Sequence, residues 1–149
     1  MEKKKIILHI NQVIEEKIKA LQERFDDLNN DLASDHKSSA GDKHETGRAM
    51  TQLEQEKLSG QLNQLKQQKE TLYKIDNSIH EKIQFGSLII TSKGIFFMSI
   101  GLGQIKVNNQ IIFCISTSSP VGQLLLDKKA EDLVEFNGNK MIIEGIVVN

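Results

Sequence analysis

Apolar positions in the first half of the chain recur with a helical period. Ile14, Ile18, Leu21, Phe25, Leu28 and Leu32 advance by alternating steps of four and three. That spacing predicts a long amphipathic helix with a heptad seam, flanked by Glu15, Glu16, Lys17, Lys19, Glu23 and Arg24. A second seam runs through Leu58, Leu62, Leu65, Lys69 and Leu72, and Ile75, Ile79 and Ile83 extend it. Met50 and Leu53 fall about one position out of that register. Between the seams, the segment Ser34 to Asp42 is small, polar and glycine-containing, as a loop requires. The expectation is an antiparallel helical hairpin over 1–83 with a tip loop at about 34–45. A helix from about Lys3 to Asp35 would be roughly 50 Å long.

From residue 84 the pattern changes to short apolar runs separated by turn residues. Ser87–Thr91, Ile95–Ile100, Gln104–Val107, Gln110–Ile115, Leu133–Phe136 and Lys140–Val147 read as strands. The turn signals are Ser92-Lys93-Gly94, Gly101-Leu102-Gly103, Asn108-Asn109 and Asn137-Gly138-Asn139. Ser119-Pro120 reads as a helix start, with Ser as cap and Pro at the first helical position, and the helix runs to about Leu126. The predicted fold class is α+β: a coiled-coil hairpin over 1–83 and an antiparallel sheet domain with one short helix over 84–149.

Composition supports that division. Residues 1–83 carry 29 charged side chains and residues 84–149 carry 10, so the charge density falls by more than half at the boundary. The single proline of the 149 residues, Pro120, is absent from the helical half, where it would cost about 3 kcal/mol. A net charge of -1 gives no global positive field to draw the chain to nucleic acid or anionic lipid. One cysteine excludes a disulfide framework and a Cys-rich zinc site. Lys3, Lys4 and Lys5 precede an apolar run too short for a signal peptide and interrupted by His9. No stretch approaches the ~20 apolar residues of a membrane span. The expectation is a cytoplasmic protein that does not associate with membranes.

Candidate chemistry concentrates at the loop between the helices. Asp42 and Glu45, three apart, form a capping-box-like pair that would start the second helix, with Thr46 as an alternative cap. His36 and His44 flank the same loop beside Asp35, Asp42 and Glu45, a set more suited to zinc or iron than magnesium. Lys37, Lys43 and Arg48 give the tip a local positive balance that could meet RNA phosphate. Cys114 lies in the apolar run Ile111 to Ile115 and reads as an inert buried thiol. Phe96, Phe97 and Phe113 read as sheet core. No phosphate-binding glycine loop or nucleophile elbow appears.

The order of these parts, with three local features, resembles the bacterial Gre family of transcript-cleavage factors. The features are Gly41-Asp42-Lys43-His44-Glu45 at the start of the second helix, Phe85-Gly86-Ser87 at the first strand, and the run from Ile115 through Ser119-Pro120 and Leu124-Leu125-Leu126-Asp127-Lys128-Lys129 into Asp132-Leu133-Val134-Glu135. The likeness is strongest over about 115–136. Asp127 and Glu131 stand where the family pattern has glycine, and Thr46-Gly47-Arg48-Ala49 stands in place of its Asn-Ala-Glu-Tyr.

The resemblance implies an FKBP-like sheet domain and a protein that binds RNA polymerase, with its hairpin tip in the secondary channel. It implies that Asp42 and Glu45 help hold the second Mg²⁺ of the polymerase active centre while the polymerase cleaves backtracked RNA. Residues three apart on a helix share a face, and Mg²⁺ takes hard oxygen ligands, so the pair suits such a role. Lys37, Lys43, His44 and Arg48 would contact polymerase or the nascent RNA 3′ end. The protein would be a monomeric accessory factor and not an enzyme, with no cofactor of its own and no sequence-specific DNA binding. The alternatives are a secondary-channel regulator that does not stimulate cleavage, and an FKBP-like peptide-binding or coiled-coil interaction module. A metal-dependent hydrolase ranks last, since a two-helix tip offers no concave pocket.

Overall fold

The computed structural model describes residues 2–35 and 41–148, with the backbone alone for residues 34, 35 and 41–45. The fold is α+β. The elements are α1 (Lys3–Asp35), α2 (Gly41–Tyr73), β1 (Leu88–Thr91), β2 (Gly94–Met98), β3 (Gly103–Val107), β4 (Gln110–Ile115), α3 (Pro120–Leu125), β5 (Leu133–Phe136) and β6 (Asn139–Ile146). Two compact units arise: Met1–Asn11 with Glu70–Asn149, and Gln12–Lys69.

In the unit Gln12–Lys69 the two helices run antiparallel. Lys69 pairs with Glu15 near one end. Arg24 Nη2 meets Glu54 Oε1 at 2.8 Å, and Gln55 Nε2 donates to Asn29 Oδ1 at 2.7 Å, so partners on α2 lie earlier as those on α1 lie later. The first seam behaves as its spacing requires: Ile14 is buried, and Ile18, Leu21, Phe25, Leu28 and Leu32 are half-buried along a mostly exposed helix. On α2, Leu58 and Leu62 are buried. Toward its start the half-buried positions are polar, Thr51, Glu54 and Gln55, while Met50 and Leu53 are exposed. The register slip in the sequence is therefore a real change of stripe composition, from leucine to polar pairs. Exposed pairs of this kind contribute about 0–1 kcal/mol each, so the apolar seam supplies most of the attraction.

The second seam does not continue to Ile83 as a helix. α2 ends at Tyr73, with neither glycine nor proline to stop it. Asp76 supplies the reason, because its Oδ1 accepts from both the backbone N and the Oγ of Ser78. Such local side-chain bonds compete with helical ones. Ile83 instead enters the sheet core.

The other unit is built on a six-stranded sheet of order β3-β4-β2-β1-β6-β5. The expected antiparallel sheet is in fact mixed, since β2 and β4 pair in parallel. The expected turn at 101–103 does not fold β3 back onto β2. Ser99 N bonds Ile115 O at 2.8 Å, which joins the end of β2 to the end of β4. The β3–β4 hairpin closes at Asn108 and Asn109, whose φ values of 51° and 66° suit a two-residue hairpin turn. β3 is thereby left at the sheet edge.

One sheet face and α3 enclose Ile83, Ile89, Met98, Leu125, Val134, Met141 and Ile143. The opposite face carries Leu88, Phe97, Ile112 and Cys114, all buried. The start of α1 belongs to this unit. Ile6 and Ile10 are buried, and Ile6 lines a small cleft with Val107 and Ile112.

Candidate functional site

The predicted site residues fall at the start of α2. Asp42, Lys43, His44 and Glu45 lie within the helix Gly41–Tyr73, and their side chains are outside the described residues, as is Lys37. His36 is also outside them. Because α2 starts at Gly41, Thr46 is inside the helix and does not cap it. Arg48 is half-buried on α2. Among the described residues no group of three or more His, Cys, Asp or Glu side chains could hold a metal ion. No helix among them is long and apolar enough to cross a membrane.

The segment that carries the sequence likeness is fully described. Ser119 caps α3: its Oγ accepts from Gly122 N at 3.0 Å and donates to Ser116 O at 2.8 Å, with Pro120 in the first turn. Glycine at 122 answers a close approach, since a Cβ there would stand 2.0 Å from Ser116 O. The helix ends in a turn that packs back on the preceding chain. Asp127 N bonds Ile83 O at 2.8 Å, and Ile83 N bonds Lys128 O at 2.7 Å. Asp132 Oδ2 accepts from Lys129 N at 2.9 Å and closes the next turn. Asp127 and Glu131 have φ of 66° and 78°, the left-handed region that glycine adopts most easily. The two positions at which this chain departs from the glycine pattern therefore keep a glycine-like backbone.

A buried polar network lies elsewhere in the same unit; the sequence motif Phe85-Gly86-Ser87 touches it, but Lys3 and His80 were not expected in it. Lys3 is only 2% exposed, and its Nζ donates to Gly86 O at 3.0 Å. Burial lowers its pKa, against an opposing pull from the Asp76 carboxylate. His80 and Ser87 are also buried. Their Nδ1 and Oγ lie 2.6 Å apart, and Ser87 Oγ further accepts from Gln84 N at 3.0 Å. On its other side His80 Nε2 meets Ser78 Oγ at 3.0 Å. Burial holds the His80 pKa below its usual value, aided by the Lys3 charge and opposed by Asp76. The two hydrogen bonds from Ser78 hold the Asp76 carboxyl below the usual range. A signal for Lys3 did exist: Lys3, Ile6 and Ile10 share one helical face, so the lysine stem belongs to an apolar stripe. His80 carried none, and Ser87 was legible only as part of the strand-start motif Phe85-Gly86-Ser87.

Cys114, in β4, is buried, and its thiol pKa is pushed up to about 12 by that burial. This agrees with the inert thiol expected from the apolar run around it.

Neither a family model nor a curated protein matches the chain. A solved structure described as that of the transcription factor Gfh1 is similar to it, at 17% identity over 91% of this chain and 92% of that one, with a TM-score of 0.36.

Proposed function

We propose that this protein is a Gre-like transcription factor that binds RNA polymerase and inserts the 36–45 end of its paired helices into the secondary channel. The observation that carries this reading is the build of the segment 115–136. Its Ser-Pro helix start is capped as the sequence likeness implies, and the two positions where the Gre pattern has glycine keep a left-handed backbone, which supports the reading. The antiparallel pairing of α1 and α2 supports the second half of the reading, since an insertable arm needs two helices held to each other.

In this reading Asp42 and Glu45, three apart near the start of α2, supply carboxylate ligands to the second Mg²⁺ of the polymerase. The polymerase performs the hydrolysis, and the factor is an accessory without a reaction of its own. Lys37, Lys43, His44 and Arg48 meet the channel or the RNA 3′ end. The protein acts as a monomer in the cytoplasm, and the sheet domain, FKBP-like in this reading, grips the channel rim.

A second outcome is favoured by the tip itself. Thr46-Gly47-Arg48-Ala49 replaces a stretch that contains a carboxylate and an aromatic in the family pattern. A factor with that tip would occupy the channel without stimulating cleavage.

A stalled elongation complex with labelled, backtracked RNA tests both. Accelerated cleavage that is lost in Asp42→Ala and Glu45→Ala supports the cleavage role. Co-purification with polymerase and altered pausing, unchanged by those substitutions, selects the regulator. Failure to bind polymerase, with no effect on cleavage, pausing or initiation, overturns the proposal.

A further inference from the structure

The start of α1 goes against the usual electrostatics of a helix. The first N–H groups of a helix have no partner within it, and that end is positive and favours acidic side chains. α1 has no acidic residue in its first turn and opens instead on Lys3, Lys4 and Lys5. Glu2, just ahead of the helix, pairs with Lys5 at 3.8 Å. Among the described residues Lys3 and Lys4 form no ion pair, so both add to the positive end.

Lys3 sharpens the imbalance, because it is buried. A lysine ammonium has three donors. One bonds Gly86 O at 3.0 Å, and among the described residues the other two have no acceptor. Asp76 attracts the ammonium from beyond ion-pair distance, and its Oδ1 already accepts twice from Ser78. A buried charge is costly unless it is paired, and burial accordingly lowers the Lys3 pKa.

A cleft of about 470 Å³ opens here, lined by Glu2, Lys3, Lys4, Asn77 and Val148. Its size suits a ligand, but Val148 is the one apolar residue among these and no aromatic ring is present. Such a lining suits a compact, highly charged group and gives a base or ring nothing to stack on. Lysine binds phosphate as a point charge, and the free N–H groups of a helix start bind it as well. We propose that this cleft binds inorganic diphosphate, held by the ammonium groups of Lys3 and Lys4 and by the first N–H groups of α1. Asn77, from the segment after α2, adds an amide donor. Glu2 is the one carboxylate of the lining and works against binding. The site does not depend on the transcription reading, since none of its residues belongs to the 36–45 end of the helices or to segment 115–136.

The test is an NMR titration of the isotope-labelled full-length chain with inorganic pyrophosphate. Saturable shifts are expected at the amides of Lys3, Lys4 and Asn77. Lys4→Ala should weaken binding about fivefold, as expected for one exposed charge, and Glu2→Gln should tighten it by a similar factor. Lys17→Ala removes the same charge from an exposed position in the unit Gln12–Lys69 and should leave the affinity unchanged. Lys3→Met keeps the apolar stem and should abolish the shifts; the Lys4 and Glu2 variants decide the matter if it does not fold. ADP should bind no more tightly than pyrophosphate, since its base finds no partner. No saturable shifts at millimolar pyrophosphate, or equal weakening by Lys4→Ala and Lys17→Ala, overturns the site. Tighter binding of ADP, or equal binding of malonate, overturns inorganic diphosphate as the ligand.

Discussion

Ser87 Oγ lies 2.6 Å from His80 Nδ1, and the bonds around this pair fix which atom carries each proton. Asp76 Oδ1 can only accept, so the Ser78 hydroxyl hydrogen points to it. Ser78 Oγ must then accept from Nε2–H of His80. Nδ1 is left as an acceptor, filled by the Ser87 hydroxyl, while Ser87 Oγ takes the Gln84 amide. The chain of donors runs in one direction and requires a neutral imidazole.

This arrangement makes stability depend on pH. His80 has a native pKa below the usual 6.5, so the unfolded chain takes up its proton first as pH falls. The stabilisation is complete above the unfolded value, declines as pH drops through it, and stops declining below the lowered native value. Urea midpoints between pH 7.5 and 5 should fall in wild type and fall less in His80→Gln. A His80 ring that titrates at or above the unfolded value by NMR would sink the assignment.

Lys3 anchors the start of α1 to the chain two residues ahead of β1 through its bond to Gly86 O. Truncation removes a buried stem and leaves that carbonyl without its donor. Lys3→Ala should cost about 1–3 kcal/mol in urea denaturation, whereas Lys4→Ala, at an exposed neighbour, should stay within about 0.5 kcal/mol.

Gly122 reverses the ordinary propensity rule. In a helix interior alanine is favoured over glycine by about 1 kcal/mol. Here a Cβ would stand 2.0 Å from the Ser116 carbonyl oxygen, a backbone atom that cannot move without breaking the Ser119 cap. Gly122→Ala should lower the thermal midpoint, and by more than Ser119→Ala, which removes only the cap and about 1 kcal/mol.

Much of this was legible in the sequence, and what was not has identifiable causes. β4 and β5 have the bounds that their apolar runs predict, and Ser119-Pro120 caps α3 as expected, because these signals are local. The parallel pairing of β2 with β4 depends on where the hairpin β3–β4 docks, which no single stretch encodes. The end of α2 was hidden because Asp76 and Ser78 stop the helix by side-chain bonds while the isoleucine spacing continues past them. Of the candidate site, the spacing of Asp42 and Glu45 was legible. The buried network was legible only in part: Lys3 shares the apolar stripe of Ile6 and Ile10, while His80 looks like a surface residue until its neighbours are known.

Burial alone protects the thiol of Cys114. With its pKa pushed up to about 12, almost no thiolate exists at neutral pH. Iodoacetamide at pH 7.5 should leave the folded protein unlabelled and modify it stoichiometrically in denaturant. Rapid labelling of the native protein would contradict the buried placement.

Glu131 offers a stabilising substitution. Its φ of 78° costs an L-residue with a Cβ about 1–2 kcal/mol, while its backbone N is committed to Ile143 O at 2.6 Å and holds it there. Glycine relieves that strain but loses more chain entropy on folding, about 0.5–1 kcal/mol. The balance predicts that Glu131→Gly raises stability by up to about 1.5 kcal/mol. Asp127→Gly should gain less, because aspartate tolerates the left-handed region better than glutamate does. Glu131→Ala separates strain from charge, since alanine removes the carboxylate but keeps the Cβ. If urea denaturation finds Glu131→Ala as stabilising as Glu131→Gly, loss of charge beside Asp132 and Glu135 is the cause and the strain argument fails.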